Sequence, residues 1–444
     1  MNLNIEKPSI MTSPKFIYGV ATASFQIEGG VDDRLPCIWD HFCSQPGKIA
    51  DNSNGDVACD HFNRWKDDVE LIDSLGVDAY RLSLSWPRLI NQDGQLRASG
   101  LAFYLDLLDE LNSRNIKPFV TFYHWDLPLH LEEKGGWLNR ETAYQFRSYV
   151  DQVSKALGDR VYSYATLNEP FCSAYLGYEA GIHAPGHKSK TFGKKAAHHL
   201  LLAHGLAIQV LNQNCPQIKK GIVLNFTPAY PNTDSRADKI AASKADDHFN
   251  QWYIKPIFDG QYPELINQLP QEYQPDILDG DLEIISTKVD YLGINFYTRA
   301  VYSAADNEYG FEELPAQPPL TDIGWQIYPT AFTDLLLSLN KLYDLPPIYI
   351  TENGMADADK LENGAVEDPV RVDYLQKHLN AVNDAILQGV DVRGYFAWSL
   401  MDNFEWAEGY TKRFGVVYVD YRTQQRTIKQ SGLAYREFLK LRKG

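Results

Sequence analysis

Two segments of this 444-residue chain end an apolar run on a carboxylate: Tyr164-Ala-Thr-Leu-Asn168-Glu169-Pro170 and Ile348-Tyr-Ile-Thr-Glu352-Asn353-Gly354. An acidic group at the end of an apolar run must face a cavity or a partner, because burying it alone is costly. Other apolar runs end in the same manner. One leads into Gln26, one begins Tyr80-Arg81 and runs to Trp86, and one closes on His124-Trp125-Asp126. Another closes on Asn295-Phe296-Tyr297, and the last passes Trp398 to Asp402-Asn403-Phe404-Glu405-Trp406. One polar ending is ordinary; seven need a shared purpose, since each polar group leaving a core must find a partner. Two carboxyls facing each other across a pocket can divide the work at a C–O bond. One protonates the leaving oxygen and the other attacks or activates water, as in glycosidic cleavage. Gln26, His124, Asn168 and Glu405 can hydrogen-bond hydroxyls in pairs, and Trp398, Trp406 and Trp325 offer flat faces to the C–H side of a pyranose ring.

Blander roles compete for each residue. Glu169 alone could cap a helix or pair with a cation, but the Asn168 and Pro170 beside it make a rigid turn. His124 alone would suit a core, and its Trp125-Asp126 context moves it to the site. Leu361-Glu362-Asn363-Gly364 repeats the second triplet, but it follows Asp357, Asp359 and Lys360 in a polar stretch, so Glu362 is expected in a solvated turn. Trp65 and Trp252 are read as core residues.

The elements that must hold these groups alternate. Eight β-rich runs fall at 16–25, 79–86, 118–124, 162–167, 220–226, 290–297, 348–351 and 392–400. Helical periodicity separates them: Val69, Ile72 and Leu75 recur three apart, and Leu101, Leu105, Leu108 and Leu111 share one face. Helices are expected near 67–75, 101–111, 140–157, 196–211, 237–258, 332–342, 369–388 and 428–441. Eight βα units with near-continuous apolar strands predict an α/β fold, a closed (β/α)8 TIM barrel with active residues at the C-terminal strand ends. No linker divides the chain, so one catalytic domain over 1–444 is expected. Residues beyond the roughly 250 of a bare barrel must enlarge the βα loops into the pocket, with 43–60, 127–137, 178–191 and 304–325 the candidates.

Charge narrows the partners. The chain has 42 Lys+Arg against 58 Asp+Glu, a net charge of −16, and 13% aromatic residues. Nothing here would neutralise a phosphate backbone or bind a membrane through a basic face, so neither nucleic acid nor membrane is expected. With neither leader nor spanning stretch, a soluble, cytoplasmic protein is expected. Five cysteines without a CxxC pair argue against a disulfide framework and a zinc site. His198, His199 and His204 lack metal-pair spacing. No metal or organic cofactor is expected, a small molecule is the expected partner, and the choice between monomer and homo-oligomer stays open.

The chain resembles glycoside hydrolase family 1, and within it the bacterial β-glucosidases. The resemblance runs from Phe16-Ile-Tyr-Gly-Val-Ala-Thr-Ala-Ser-Phe-Gln-Ile-Glu-Gly29 to Arg413-Phe-Gly-Val-Val-Tyr-Val-Asp420, with the two Glu motifs and Trp398-Ser-Leu-Met-Asp-Asn-Phe-Glu-Trp406 between. It implies a retaining double displacement with Glu352 as nucleophile and Glu169 as acid/base. Gln26, His124, Asn168, Glu405 and Trp406 match positions that hold the glycone, with Trp398 beneath the ring. Arg81, Asn295 and Tyr297 match residues around the nucleophile. Arg81 and Tyr297 should keep Glu352 ionised, while Glu169 needs a raised pKa. The two carboxyls are expected about 5–5.5 Å apart.

Glu405 disfavours the phosphoglycosidase branch, where a small residue stands, and Glu169 disfavours the thioglucosidase branch, where Gln stands. Phe171 occupies a position where the family often has Trp. With Cys172, Leu176 and Trp325 it is expected to line an apolar aglycone entrance that weakens inhibition by glucose. Transglycosylation by the same residues, some β-galactosidase and β-fucosidase activity, a dead sugar-binding protein and a phosphate-recognising hydrolase remain as companion or rival readings.

Overall fold

The structure is a computed structural model and describes residues 3–443. Eight strands close a parallel barrel: β1 Ile17–Ala21, β2 Ala79–Ser83, β3 Lys117–Tyr123, β4 Ser163–Asn168, β5 Lys219–Phe226, β6 Tyr291–Phe296, β7 Ile348–Asn353 and β8 Val392–Trp398. Each pairs with its neighbour in sequence, and β1 closes onto β8 from Ile17↔Gly394 to Ala21↔Trp398. This is the (β/α)8 fold that the alternation predicts. The strands are almost wholly buried because helices cover them outside and side chains fill them inside. Phe119, Tyr291, Tyr349 and Phe396 form that filling, with Phe119 4.8 Å from Phe396 and 5.5 Å from Tyr349. Gly19 is required here: a Cβ would stand 2.4 Å from the Phe396 ring.

The outer layer comprises α1 His61–Ser74, α2 Ala98–Ser113, α3 Glu141–Leu157, α4 Lys190–Asn214, α5 Arg236–Asp246, α6 Trp252–Phe258, α7 Thr330–Leu342, α8 Pro369–Leu387 and α9 Gln430–Lys443. The stretch expected as one helix at 237–258 is α5 and α6 joined by a π-helical turn, Asp247–Gln251. Trp252 is fully buried, as expected, whereas Trp65 is only partly buried and packs against the edge of the main core. His198 pairs with Tyr262 and Asp281, His204 with Thr166, and His199 with the Trp137 carbonyl, so all three serve helix packing.

Element ends depart from the sequence reading in informative ways. β1 stops at Ala21, and Gln26 rides instead on a single helical turn, Ser24–Ile27. β2 stops at Ser83, since Pro87 starts a short helix, Trp86–Leu89. Trp86 leaves the barrel mouth and stacks on Tyr149 at 5.0 Å. β8 stops at Trp398, and β7 runs on to Asn353. The long loops hold structure of their own. A three-stranded sheet joins Ala229–Pro231, Ala300–Ala304 and Phe311–Glu313, a π-helix spans Cys172–Glu179, and a hairpin pairs Val417–Asp420 with Gln425–Ile428. Among the described residues no helix is long and apolar enough to cross a membrane, and no cluster of three or more His, Cys, Asp or Glu is arranged to hold a metal ion.

Candidate active site

Register shifts aim the two key carboxyls. β4 slips against β5 between Ala165 and Asn168, and β7 slips against β6 between Ile350 and Glu352. Such irregularities re-aim a side chain at the end of a strand. Glu169 then takes a left-handed backbone, φ +46°, with its N–H donating to the Val223 carbonyl at 2.9 Å. Trp125 (φ +77°) and Trp406 (φ +48°) share this uncommon conformation. These three non-glycine residues are neighbours, with Trp125 Nε1 donating to the Asn168 carbonyl at 2.8 Å and its ring 4.5 Å from Trp406, and backbone strain clustered in this way tends to be kept for function.

The carboxyls share a scaffold but differ in surroundings. Arg81 Nη1 donates to Glu352 Oε1 at 2.6 Å, and the Tyr297 hydroxyl donates to Oε2 at 2.5 Å. Asn295 Nδ2 donates to Glu169 Oε1 at 2.6 Å, and Cys172 Sγ donates to Oε2 at 3.0 Å. Asn168 Oδ1 joins the two halves by accepting from Arg81 at 2.6 Å and Asn295 at 3.0 Å. Thr351 Oγ1 fixes Asn295 by donating to its Oδ1 at 2.7 Å. Glu352 is therefore held by a cation, whereas Glu169 has only neutral donors. Burial, reinforced by the negative charge of Glu352, pushes Glu169 up to about 7. The same two causes, with Glu169 adding its charge, push Glu405 up to about 8. Burial and then the Arg81 cation hold His124 well below its usual range, so it is a neutral imidazole.

A polar wall faces the carboxyls. The Gln26 amide donates to Asn403 Oδ1 at 3.0 Å and to the Phe404 carbonyl at 2.8 Å. His124 Nε2 bonds Asn168 Nδ2 at 3.1 Å. Gln26 Oε1, His124 Nδ1 and Glu405 Oε2 are buried without a protein partner among the described residues. Buried polar atoms are nearly always bonded, so these three suit the hydroxyls of a bound ligand. Aromatic rings make the other surface. His124 stacks on Trp398 at 5.8 Å and Trp406 at 5.9 Å, and Trp406 is braced by Trp125 at 4.5 Å and Trp39 at 4.6 Å.

The glycone-side candidates and the nucleophile's supports thus gather at one rim. On the aglycone side the residues divide. Cys172 bonds Glu169, and Trp325 lies 5.3 Å from the Tyr297 ring. Phe171 packs against Tyr175 at 5.2 Å and Phe249 at 5.9 Å, and Phe171 and Leu176 both lean on the main core. Sequence reasoning missed Cys172 as a donor to the carboxyl, and Trp39 and His183 as braces around Trp125. His183 lies 5.3 Å from Trp39 and 5.5 Å from Trp125. No periodicity marks these residues.

The profile of glycosyl hydrolase family 1 matches residues 11–443. The chain is 46% identical over 430 residues to a β-glucosidase of an Agrobacterium species, covering 95% of this chain and 93% of that protein. It is 42% identical over 458 residues to a bifunctional β-D-glucosidase/β-D-fucosidase of Bifidobacterium breve, covering 97% and 98%. A solved family 1 β-glucosidase from Thermotoga maritima superposes with a TM-score of 0.94 at 41% identity, covering 99% of each chain.

Proposed function

The chain belongs to glycosyl hydrolase family 1 and is a β-glucosidase, and from that premise we propose how its residues act and on what. One catalytic domain over 1–444 removes terminal non-reducing β-D-glucosyl residues from cellobiose, short cello-oligosaccharides and aryl or alkyl β-glucosides. Glu352 attacks the anomeric carbon and forms a covalent glycosyl-enzyme while Glu169 protonates the departing oxygen. Glu169 then deprotonates the incoming water, and the anomeric configuration is retained. An alcohol or second sugar in place of water gives transglycosylation.

The observation that carries this reading is the unlike pairing of two buried carboxyls on one scaffold. Glu352 sits against Arg81 and Tyr297, a setting for a nucleophile. Glu169, pushed up to about 7, keeps a proton to give near neutrality. Once Glu352 spends its charge on the sugar, one cause of the rise disappears, so the Glu169 pKa falls and the carboxylate left after proton donation is free to take a proton from water. Gln26, His124, Asn168, Glu405 and Trp406 hold the glycone over Trp398. Gln26 and Glu405 read the 4-hydroxyl and accept either orientation, which supports secondary β-galactosidase and β-fucosidase activity. Cys172, Trp325, Phe171 and Leu176 border the aglycone.

Proton NMR of the first product tests the mechanism: the β anomer must appear before mutarotation, and an initial α anomer rejects it. Comparing a glucoside with its 6-phosphate tests the pocket, where Glu405 should exclude the phosphate.

A further inference from the structure

Behind the wall that carries Glu405, two buried cations and a third, partly exposed one meet three buried carboxylates. Lys429, immediately before α9, donates to Asp402 Oδ1 at 2.6 Å and to Asp359 Oδ2 at 2.5 Å. Arg371 on α8 grips Asp359 through two bonds, 3.0 and 2.7 Å, and also bonds Asp368. Arg413 donates to Asp402 Oδ2 at 2.6 Å. The Lys429 and Asp402 side chains are both 0% exposed.

The two acids that Lys429 joins sit on the two loops that matter most. Asp402 stands three residues before Glu405. The residues after it, Asn403 and Phe404, receive the Gln26 amide. Asp359 lies on the loop leaving Glu352, and Arg371 ties that loop again through the Met355 carbonyl at 3.3 Å. There is little slack: a Cβ on Gly415 would stand 2.1 Å from the Asp402 nitrogen. An ion pair this deep is dear to desolvate, and a packed apolar trio could often match its stability. Its distinctive property is directional: it fixes one loop against another.

We propose that Lys429 is a positioning residue for sugar recognition, holding the loop of Glu405 and Trp406 at a set distance from the strand end of Glu352. The ammonium touches no substrate. It acts through Asp402 on the groups that read the glycone, and so rests on the glycone role given above to Glu405. Losing it lets the reader loop drift, so discrimination between sugars should fall more than reactivity in general.

The test compares kcat/KM for 4-nitrophenyl β-D-glucoside and its 4-deoxy analogue in wild type, Lys429→Met, Glu405→Gln and the double variant. Lys429→Met should lose up to about 100-fold on the glucoside, the cost of a small misplacement, and about tenfold less on the 4-deoxy substrate. In the Glu405→Gln background it should move their ratio much less, because only Gln26, bonded to that loop, is then left to read the 4-hydroxyl. Equal losses on both substrates, or the same added loss in both backgrounds, overturn the proposal and make Lys429 merely structural. If Lys429→Met does not fold by circular dichroism, Asp359→Asn removes one of its partners and repeats the cycle; failure of both to fold also overturns it. A normal ratio in Glu405→Gln defeats the glycone role of Glu405 and the proposal with it. A lowered ratio there beside a normal one in Lys429→Met overturns the positioning role alone.

Discussion

The triplet Glu-Asn-Gly occurs twice within thirteen residues and makes two different things. At 352–354 it ends a buried barrel strand. Glu352 is 3% exposed and bound by Arg81 and Tyr297, and the Asn353 amide donates to the Phe296 carbonyl at 2.7 Å. At 362–364 it makes an exposed two-residue hairpin turn. Glu362 and Ala365 exchange backbone bonds of 2.9 and 3.0 Å, and Asn363 and Gly364 supply the positive φ that such a turn demands. The glycines differ for the same reason. A Cβ on Gly354 would stand 1.8 Å from the Trp398 carbonyl oxygen, whereas a Cβ on Gly364 would meet nothing within 4 Å. Identical side chains thus become a site or a turn according to what precedes them: an apolar strand in one case, a polar loop in the other.

The sharpest break is at the acids. Glu352→Gln should cut turnover by at least about 10^4-fold with the fold intact, while Glu362→Gln should leave kcat/KM and Tm unchanged. Activity retained by a clean Glu352→Gln preparation would remove its role as nucleophile. Next comes the partner carboxyl. Glu169→Ala should slow poor leaving groups by about 10^3-fold and activated aryl glucosides far less in the first step; equal losses in kcat/KM would point to another role.

The glycines give a smaller contrast. Gly354→Ala must displace backbone next to Glu352 and should lower both Tm and kcat. Gly364→Ala should cost only about 1 kcal/mol of turn strain, with kcat untouched. If the two variants behaved alike in kcat, the close approach at Gly354 would have no catalytic consequence.

Titration refines the pair further. With Glu169 at about 7, kcat/KM should be lost as pH rises past that value, since the first step needs the protonated form. The smallest effect is on stability. Glu169 and Glu405 both titrate above their ordinary value of 4.5. The folded state therefore binds the proton more tightly than the unfolded chain does. Their contribution to stability is complete below about pH 4.5 and is lost as pH rises through 7 to 8. Glu405→Gln should lose less Tm than wild type between pH 5 and 8, ending roughly 2–4 °C higher at pH 8. A parallel pair of Tm curves would contradict this.

Much of this was legible in one dimension. Eight apolar runs and eight periodic segments located every barrel strand and most helices, because burial on both faces leaves a local signature. The same alternation left Glu169 and Glu352 at strand ends, and the texture around each triplet told the acid from its decoy. Boundaries were less legible, because a strand's last residues depend on the neighbour it pairs with. Trp86 looks like the end of β2 but belongs to the outer layer.

What only folding decided is who meets whom. Arg81 and Glu352 are 271 residues apart, and Gln26 and Asn403 are 377 apart. No spacing rule connects them. The thiol on Glu169, the braces around Trp406 and the Lys429 cluster have the same origin. Side-chain type sets what a residue can do, and closure of the barrel sets the burial and neighbours that make it an acid, a base or a support. A pKa near 7 for one glutamate among 58 acidic residues is a property of a place.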